Sequence, residues 1–185
     1  LSIYLKLANG PYTYLLESVQ GGERFGRYSI IGLAAPTRIV VNRHEVLVVT
    51  ANRIAEREND TNPLHFLGNY FKRFREAPIA GIPRCSGGLD GCFGYDTVRY
   101  VEKKLTRTAK TDSLGTPDIV LLLSEEIAVV DNLSGKLTLV VYAEPGVPGA
   151  YQKATARIRE LLAKLRQPVE IPTEKPKPPE AAASR

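Results

Sequence analysis

The stretch Pro117 to Tyr142, PDIVLLLSEEIAVVDNLSGKLTLVVY, most constrains how this chain folds. Ile119 to Leu123 and Ile127 to Asp131 are short runs of Val, Ile and Leu, and both read as strands. Asn132-Leu133-Ser134-Gly135 is a cluster of turn formers, and Leu137 to Tyr142 is the strand that returns from it. The same signal recurs upstream. Arg38 to Val41 and Glu45 to Val49 are β-branched runs joined by Asn42-Arg43-His44, a hairpin pattern. Ser2 to Leu7 alternates and predicts a strand. Tyr12 to Glu17 predicts a second, after a turn at Asn9-Gly10-Pro11. Ala51 to Thr61 is charged and reads as a loop, and Gly87 to Tyr95 as a glycine-rich strand.

Helices are fewer. Asn62-Pro63 has the form of an N-cap followed by proline at the first helical position. Leu64, Leu67, Phe71 and Phe74 follow at three- and four-residue steps, with Tyr70 alongside. Val98 to Leu105 reads as a short helix. Pro148 to Arg166 is the clearest one, with Tyr151, Ala154, Ile158, Leu161, Leu162 and Leu165 on one face. The pattern is therefore strand-rich, with two or three helices.

Beyond Arg166 the composition changes. Gln167 to Arg185 holds five prolines among charges and alanines, cannot bury a core, and reads as an extended linker. A body at 1–166 and a linker at 167–185 follow. The chain lacks an initiator methionine and opens directly on a strand-like pattern, which predicts that it begins inside a longer polypeptide.

With 185 residues, 43% hydrophobic, 24% charged and a net charge of +5, the chain suits one globular domain with a core. No apolar stretch approaches the ~20 residues of a membrane span. Basic residues are dispersed; the densest group, Lys103-Lys104-Leu105-Thr106-Arg107, has no aromatic interleaving and reads as a solvated loop, which argues against nucleic acid as a partner. Cys85 and Cys92 do not have zinc spacing and predict free thiols in a reducing cytoplasm.

Catalytic patterns are missing. Gly21 to Tyr28 lacks the Lys-Ser/Thr of a phosphate loop. Gly87 to Gly94 is not a dinucleotide fingerprint, and its glycines predict a bulge or the close approach of another backbone. His44 and His65 lie near no nucleophile and read as structural or exposed. Glu125-Glu126 are neighbours that a strand would point to opposite faces.

Leu15-Leu16-Glu17-Ser18 supports two readings. Composition favours a strand ending at Glu17 with Ser18 starting a turn. The alternative is a small amphiphilic pocket at a strand end. There Ser18 donates and accepts, Glu17 takes an ammonium, irregular backbone N–H groups hold a carboxylate and Leu16 supplies an apolar wall. Those groups suit a free amino acid.

LLES, ten residues, then Ser29 resembles the feedback-inhibition motif of the anthranilate synthase large-subunit family. GGERFGRYSIIGL, Gly87 to Leu105 and Pro117 to Pro145 are also similar to that family, so the resemblance covers nearly the whole chain to Arg166. It implies an α+β fold: strand-rich mixed sheets packed at steep angles with outer helices. It implies the N-terminal regulatory part of an enzyme that converts chorismate and ammonia to anthranilate and pyruvate. The ammonia comes from a glutamine amidotransferase subunit. Chorismate and Mg²⁺ belong to a C-terminal domain beyond the linker, which the exposed faces of Gly87 to Tyr95 are expected to meet; no catalytic residue is assigned here. The resemblance implies an L-tryptophan site in which Ser18 and Glu17 hold the polar end and Leu16 lines the indole slot. The loop through Gly21, Gly22 and Gly26 returns the chain so that Tyr28 and Ser29 close the site. Two other readings stand beside it: the N-terminal domain of aminodeoxychorismate synthase, and a stand-alone amino-acid-binding module.

Overall fold

The computed structural model describes residues 1–20, 24–59, 62–77, 79–83, 86–102, 104–105 and 115–169, with the side chains of 18–20 and 24–25 outside that description. Gly21, Gly22, Cys85, most of the basic group 103–107 and most of the predicted linker fall outside it too.

Nine strands make two sheets among the described residues, and every pairing is antiparallel. The first sheet has the order β1-β2-β8-β9, from Tyr14–Gln20 (β1), Arg24–Gly32 (β2), Glu126–Asp131 (β8) and Lys136–Val141 (β9). The second has the order β5-β4-β3-β7-β6. Its strands are Thr37–Asn42 (β3), Glu45–Thr50 (β4), Arg53–Glu58 (β5), Gly88–Phe93 (β6) and Ile119–Ser124 (β7). Three helices, Ser2–Leu7 (α1), Pro63–Phe71 (α2) and Ala150–Arg166 (α3), cover them. This is the α+β arrangement of sheets and helices expected above.

Each sheet buries one face under helix. Ile39, Val41, Val46, Val48, Ile119 and Leu121 pack with Leu67 and Tyr70 of α2. In the first sheet Ile31, Leu33 and Ala128 pack with Leu7 and Ala8 of the α1 end and Leu161 of α3. Arg157 of α3 clamps Glu126 of β8 with contacts of 2.9, 3.1 and 2.9 Å, so the long helix is tied by charge as well as by apolar burial.

The sheets are also joined to each other. β7 and β8 are separated by Glu125 alone, so one run of chain passes from one sheet into the other. The Tyr14 hydroxyl donates to the Asp90 carboxylate of β6 at 2.8 Å and lies 3.0 Å from the Ser124 hydroxyl of β7. Its ring lies over Gly32, where a Cβ would come within 2.0 Å of it. Glycine is required there by contact, not by torsion.

Several local expectations change. Ser2–Leu7 is helical, not a strand. Over six residues its apolar positions fit both periods, and Ile3, Tyr4, Leu7 and Ala8 meet the α3 face at helical spacing. Lys6 Nζ donating to Leu165 O at 2.7 Å fixes it there. The charged stretch after Ala51 contains β5, an edge strand entered through a two-residue turn with Ala51 at φ 48° and Asn52 at φ 62°. Arg24–Gly32 is one continuous strand, so Gly26 lies within β2 and not in a returning loop. In place of an α-helix from Val98, a 3₁₀ helix runs from Tyr95 to Tyr100, with Val98 exposed. On α3, Ala154 and Leu161 are buried and Ile158 and Leu165 half-buried, but Tyr151 and Leu162 face solvent. Glu125 sits between strands, so the pair Glu125-Glu126 is divided by a strand boundary.

Other expectations hold. The Asn62 side chain accepts from Leu64 N and caps α2. The β3–β4 and β8–β9 hairpins are in register as read. In β6 a Cβ on Gly91 would meet Val120 O at 2.0 Å, which is the close backbone approach its glycines imply, and the register of β6 with β7 carries no bulge. His44 and His65 are exposed, and Cys92 is an exposed free thiol.

Candidate functional site

The β1–β2 hairpin carries every residue singled out for ligand binding. Its register runs regularly from Tyr14↔Gly32 to Glu17↔Ser29 and resumes at Val19↔Phe25. Ser18 therefore stands alone opposite Gly26, Arg27 and Tyr28. A bulge of this kind frees backbone groups from the ladder and re-aims side chains, and such irregularities concentrate where sheets bind ligands. Ser18 sits within the strand at this break, and its side chain lies outside the described residues.

Strand alternation separates the other four residues. Glu17 and Ser29 pair across the hairpin and share the face of Leu15 and Ile31, which bears the helices. Leu16 and Tyr28 lie on the opposite face with Ile30; Leu16 is 49% exposed there. The structure thus brings Glu17 and Ser29 together and does not bring Leu16 or Tyr28 beside them.

Glu17 and Ser29 open onto a cavity of about 570 Å³, lined with them by Gly26, Arg27, Asn132 and Leu133. That volume lies within the roughly 300–1,000 Å³ of small-molecule sites. Asn132 and Leu133 come from the β8–β9 turn, which sequence reasoning treated only as a turn. The register of β2 on β8, Tyr28↔Asp131 to Gly32↔Ile127, carries that turn to the hairpin. Asn132 Nδ2 donates to Gly26 O at 3.0 Å and to Ser29 Oγ at 3.2 Å, and Ser29 Oγ donates to Glu17 Oε1 at 3.4 Å. The amide therefore directs the serine proton towards the glutamate.

Arg27 forms the charged rim. It pairs with Asp131 at 3.1 Å and lies 5.0 Å from the centre of the Tyr28 ring. Hydrogen bonding from Arg27 holds the Asp131 carboxyl below its ordinary range, and the backbone N–H groups of Leu133 and Ser134 act the same way. Asp131 thus organises the turn that supplies Asn132 and Leu133. Glu17 and Arg27 do not pair with each other, so the cavity presents a carboxylate and a guanidinium as separate charges.

Other polar groups pair with one another away from the cavity. Tyr100 and the Arg43 backbone N–H both donate to Asp118 Oδ2 at 2.6 Å. Ser86 donates to Glu76 at 2.6 Å. Among the described residues no group of three or more His, Cys, Asp or Glu is placed to hold a metal ion. No helix of the described residues is long and apolar enough to cross a membrane.

The chain is thus an α+β domain of two antiparallel sheets with a pocket at a bulged hairpin. Comparison with known proteins gives the particular relationship. The chain is 51% identical over 175 residues to anthranilate synthase component 1 of Neisseria meningitidis serogroup B, covering 93% of this chain and 35% of that protein. It is 49% identical over 169 residues to the protein of the same name from Pseudomonas aeruginosa, covering 91% and 34%. The solved structure of anthranilate synthase component I from Streptococcus pneumoniae TIGR4 has the same fold, with a TM-score of 0.54, 22% identity, and coverage of 84% of this chain and 32% of that one. No family model matches the chain. The chain is a homologue of the N-terminal part of anthranilate synthase component 1, and it spans about a third of the length of those relatives.

Proposed function

We propose that the chain acts as the N-terminal, regulatory part of an anthranilate synthase. The full enzyme converts chorismate and ammonia to anthranilate and pyruvate in tryptophan biosynthesis, in the cytoplasm, with ammonia from a glutamine amidotransferase subunit. The observation that carries this reading is the half-identity to proteins so named across more than nine-tenths of the chain. Chorismate and Mg²⁺ belong to the C-terminal domain of the full enzyme, and this part carries no catalytic residue.

This part binds L-tryptophan as feedback inhibitor. Glu17 is the acceptor for the ammonium, with Ser18 and Ser29 beside it. Leu16 and Tyr28 belong to the other face of the same hairpin. Inhibition follows if tryptophan binds one arrangement of this part and the catalytic domain better than another, since only differential affinity shifts an equilibrium.

Calorimetry reports binding of the amino acid directly. Titration of L-tryptophan into the full-length protein is expected to saturate, and Ser18→Ala to weaken it by about one to two orders of magnitude. Ser18→Phe is expected to abolish inhibition with chorismate turnover retained; normal inhibition in that variant refutes the site. The product made from chorismate and ammonia tests the activity: anthranilate supports this reading, aminodeoxychorismate moves the protein to the folate branch.

A further inference from the structure

We infer that β6 is a relay strand. Tyr14 and Tyr142, one from each hairpin that lines the pocket, tether it, so that a change in the spacing of the two hairpins at the pocket moves β6 at their other end. The inference rests on the binding role proposed for the pocket and adds how its occupancy is passed on.

The two hairpins act as levers. They meet the cavity towards their turns, β1–β2 through Glu17, Gly26, Arg27 and Ser29 and β8–β9 through Asn132 and Leu133. Each carries a tyrosine at its opposite end: Tyr14 is the first residue of β1, and Tyr142 directly follows β9. At about 3.3 Å per residue, Tyr14 stands roughly 10 Å along its strand from Glu17, and Tyr142 roughly 20 Å from its turn. Both tyrosines reach out of the first sheet to the same strand of the second. The Tyr14 hydroxyl donates to Asp90 of β6 at 2.8 Å. The Tyr142 hydroxyl donates to Ser86 Oγ, just before β6, at 3.4 Å, and Ser86 in turn donates to Glu76 at 2.6 Å.

Neither tether has slack. A Cβ on Gly32 would come within 2.0 Å of the Tyr14 ring, and one on Gly87 within 2.7 Å of the Tyr142 ring, so both rings are seated against backbone. Ser124 and Ser86, beside the two hydroxyls, are buried. Hydrogen bonds shielded in this way are costly to break, because water does not replace the lost partner. A displaced hairpin therefore carries β6 with it. β6 is able to follow: it is an edge strand, paired with β7 alone among the described residues, and Gly88 and Gly91 weaken its hold on one shape. A ligand that bridges Glu17 and the β8–β9 turn favours one spacing of the hairpins, and that differential affinity biases the position of β6.

The test separates binding from transmission on the full-length protein, with L-tryptophan as the probe. Calorimetry reads affinity, hydrogen exchange reads the amides of the β1–β2 hairpin and of β6, and anthranilate formation reads inhibition. In the wild type, L-tryptophan is expected to slow exchange in the hairpin and, severalfold, across Gly88–Phe93. Tyr14→Phe and Tyr142→Phe keep the rings and remove the hydroxyls. Each is expected to bind L-tryptophan within about threefold of the wild type and to protect the hairpin as before. Each is also expected to lose the response in β6 and to need about tenfold more L-tryptophan for half-inhibition, the equivalent of one hydrogen bond. Asp90→Asn, which keeps an acceptor for Tyr14, is expected to retain more of the β6 response than Asp90→Ala. Circular dichroism of each variant checks that the sheets persist. If β6 does not respond in the wild type, or if both Phe variants transmit as the wild type does, the relay is wrong and the pocket stands. Loss of hairpin protection together with the β6 response in the Phe variants makes the tyrosines merely structural and also overturns the relay. If the wild type binds no L-tryptophan, the pocket and the relay fall together.

Discussion

A few side chains hold the hairpin in its geometry, and each has a measurable consequence. Gly32 lies under the Tyr14 ring, and that ring is pinned by Asp90 and Ser124. Gly32→Ala is expected to destabilise the protein by about 1–3 kcal/mol, the usual cost of overpacking. Removing the ring in a Tyr14→Ala background should erase most of that cost, so a double-mutant cycle in urea is the measurement. Asp131 has a pH signature. Its folded pKa is depressed, first by Arg27, so its contribution is present above the ordinary carboxylate range and is lost as pH falls through the lowered folded value. Because its carboxylate accepts from Leu133 N at 3.0 Å and Ser134 N at 3.4 Å, those amides report it directly. Their exchange protection is expected to persist below the usual aspartate range and then fail, and Asp131→Asn should remove the pH dependence.

At the level of elements, the way α3 is fixed differs from the other surface pairs. Arg157 meets Glu126 through two nitrogens, with both side chains about one-third exposed or less. Arg57 meets Glu45 through one contact of 2.9 Å, with Arg57 half exposed. Bidentate, partly shielded pairs contribute more than exposed single contacts. Arg157→Ala is therefore expected to cost about 1 kcal/mol or more, and Arg57→Ala well under that; equal losses in chemical denaturation refute the ranking. The same contrast explains what was legible. The β3–β4 and β8–β9 hairpins announce themselves because their apolar runs and turns are local. β5 does not. It is an edge strand of Arg, Ile, Ala and Glu whose side chains are largely solvated, so only pairing with β4 reveals it. α1 is too short for its period to be decided without α3 beside it.

Across the molecule, two short links tie the sheets: Glu125 between β7 and β8, and Leu33 to Pro36 between β2 and β3. Neither sheet can unfold without dragging a strand from the other. Far-UV circular dichroism and the fluorescence of the nine tyrosines are expected to report one coincident urea transition. Two separated transitions would mean that the sheets are independent units. The sheet edges also differ. β5 carries Arg53, Glu56, Arg57 and Glu58, the charged protection usual for an open edge. β6 has Asp90 alone among charges, and its last residue, Phe93, is exposed, as is Tyr95 beyond it.

The sequence by itself determined the strand-rich character, the α2 and α3 helices, two hairpins and the LLES stretch with its likeness to a known family. These rest on residues within a few positions of one another, where period, turn chemistry and capping act. Tertiary structure decided which residues share the cavity. Ser29 and Asn132 are 103 positions apart and meet because β2 pairs with β8 in one register. Leu16 and Glu17 are adjacent in sequence and part company because a strand turns successive side chains to opposite faces. A pocket built from two hairpins is set by the pairing between them, and that pairing is a property of the folded sheet and not of either segment alone.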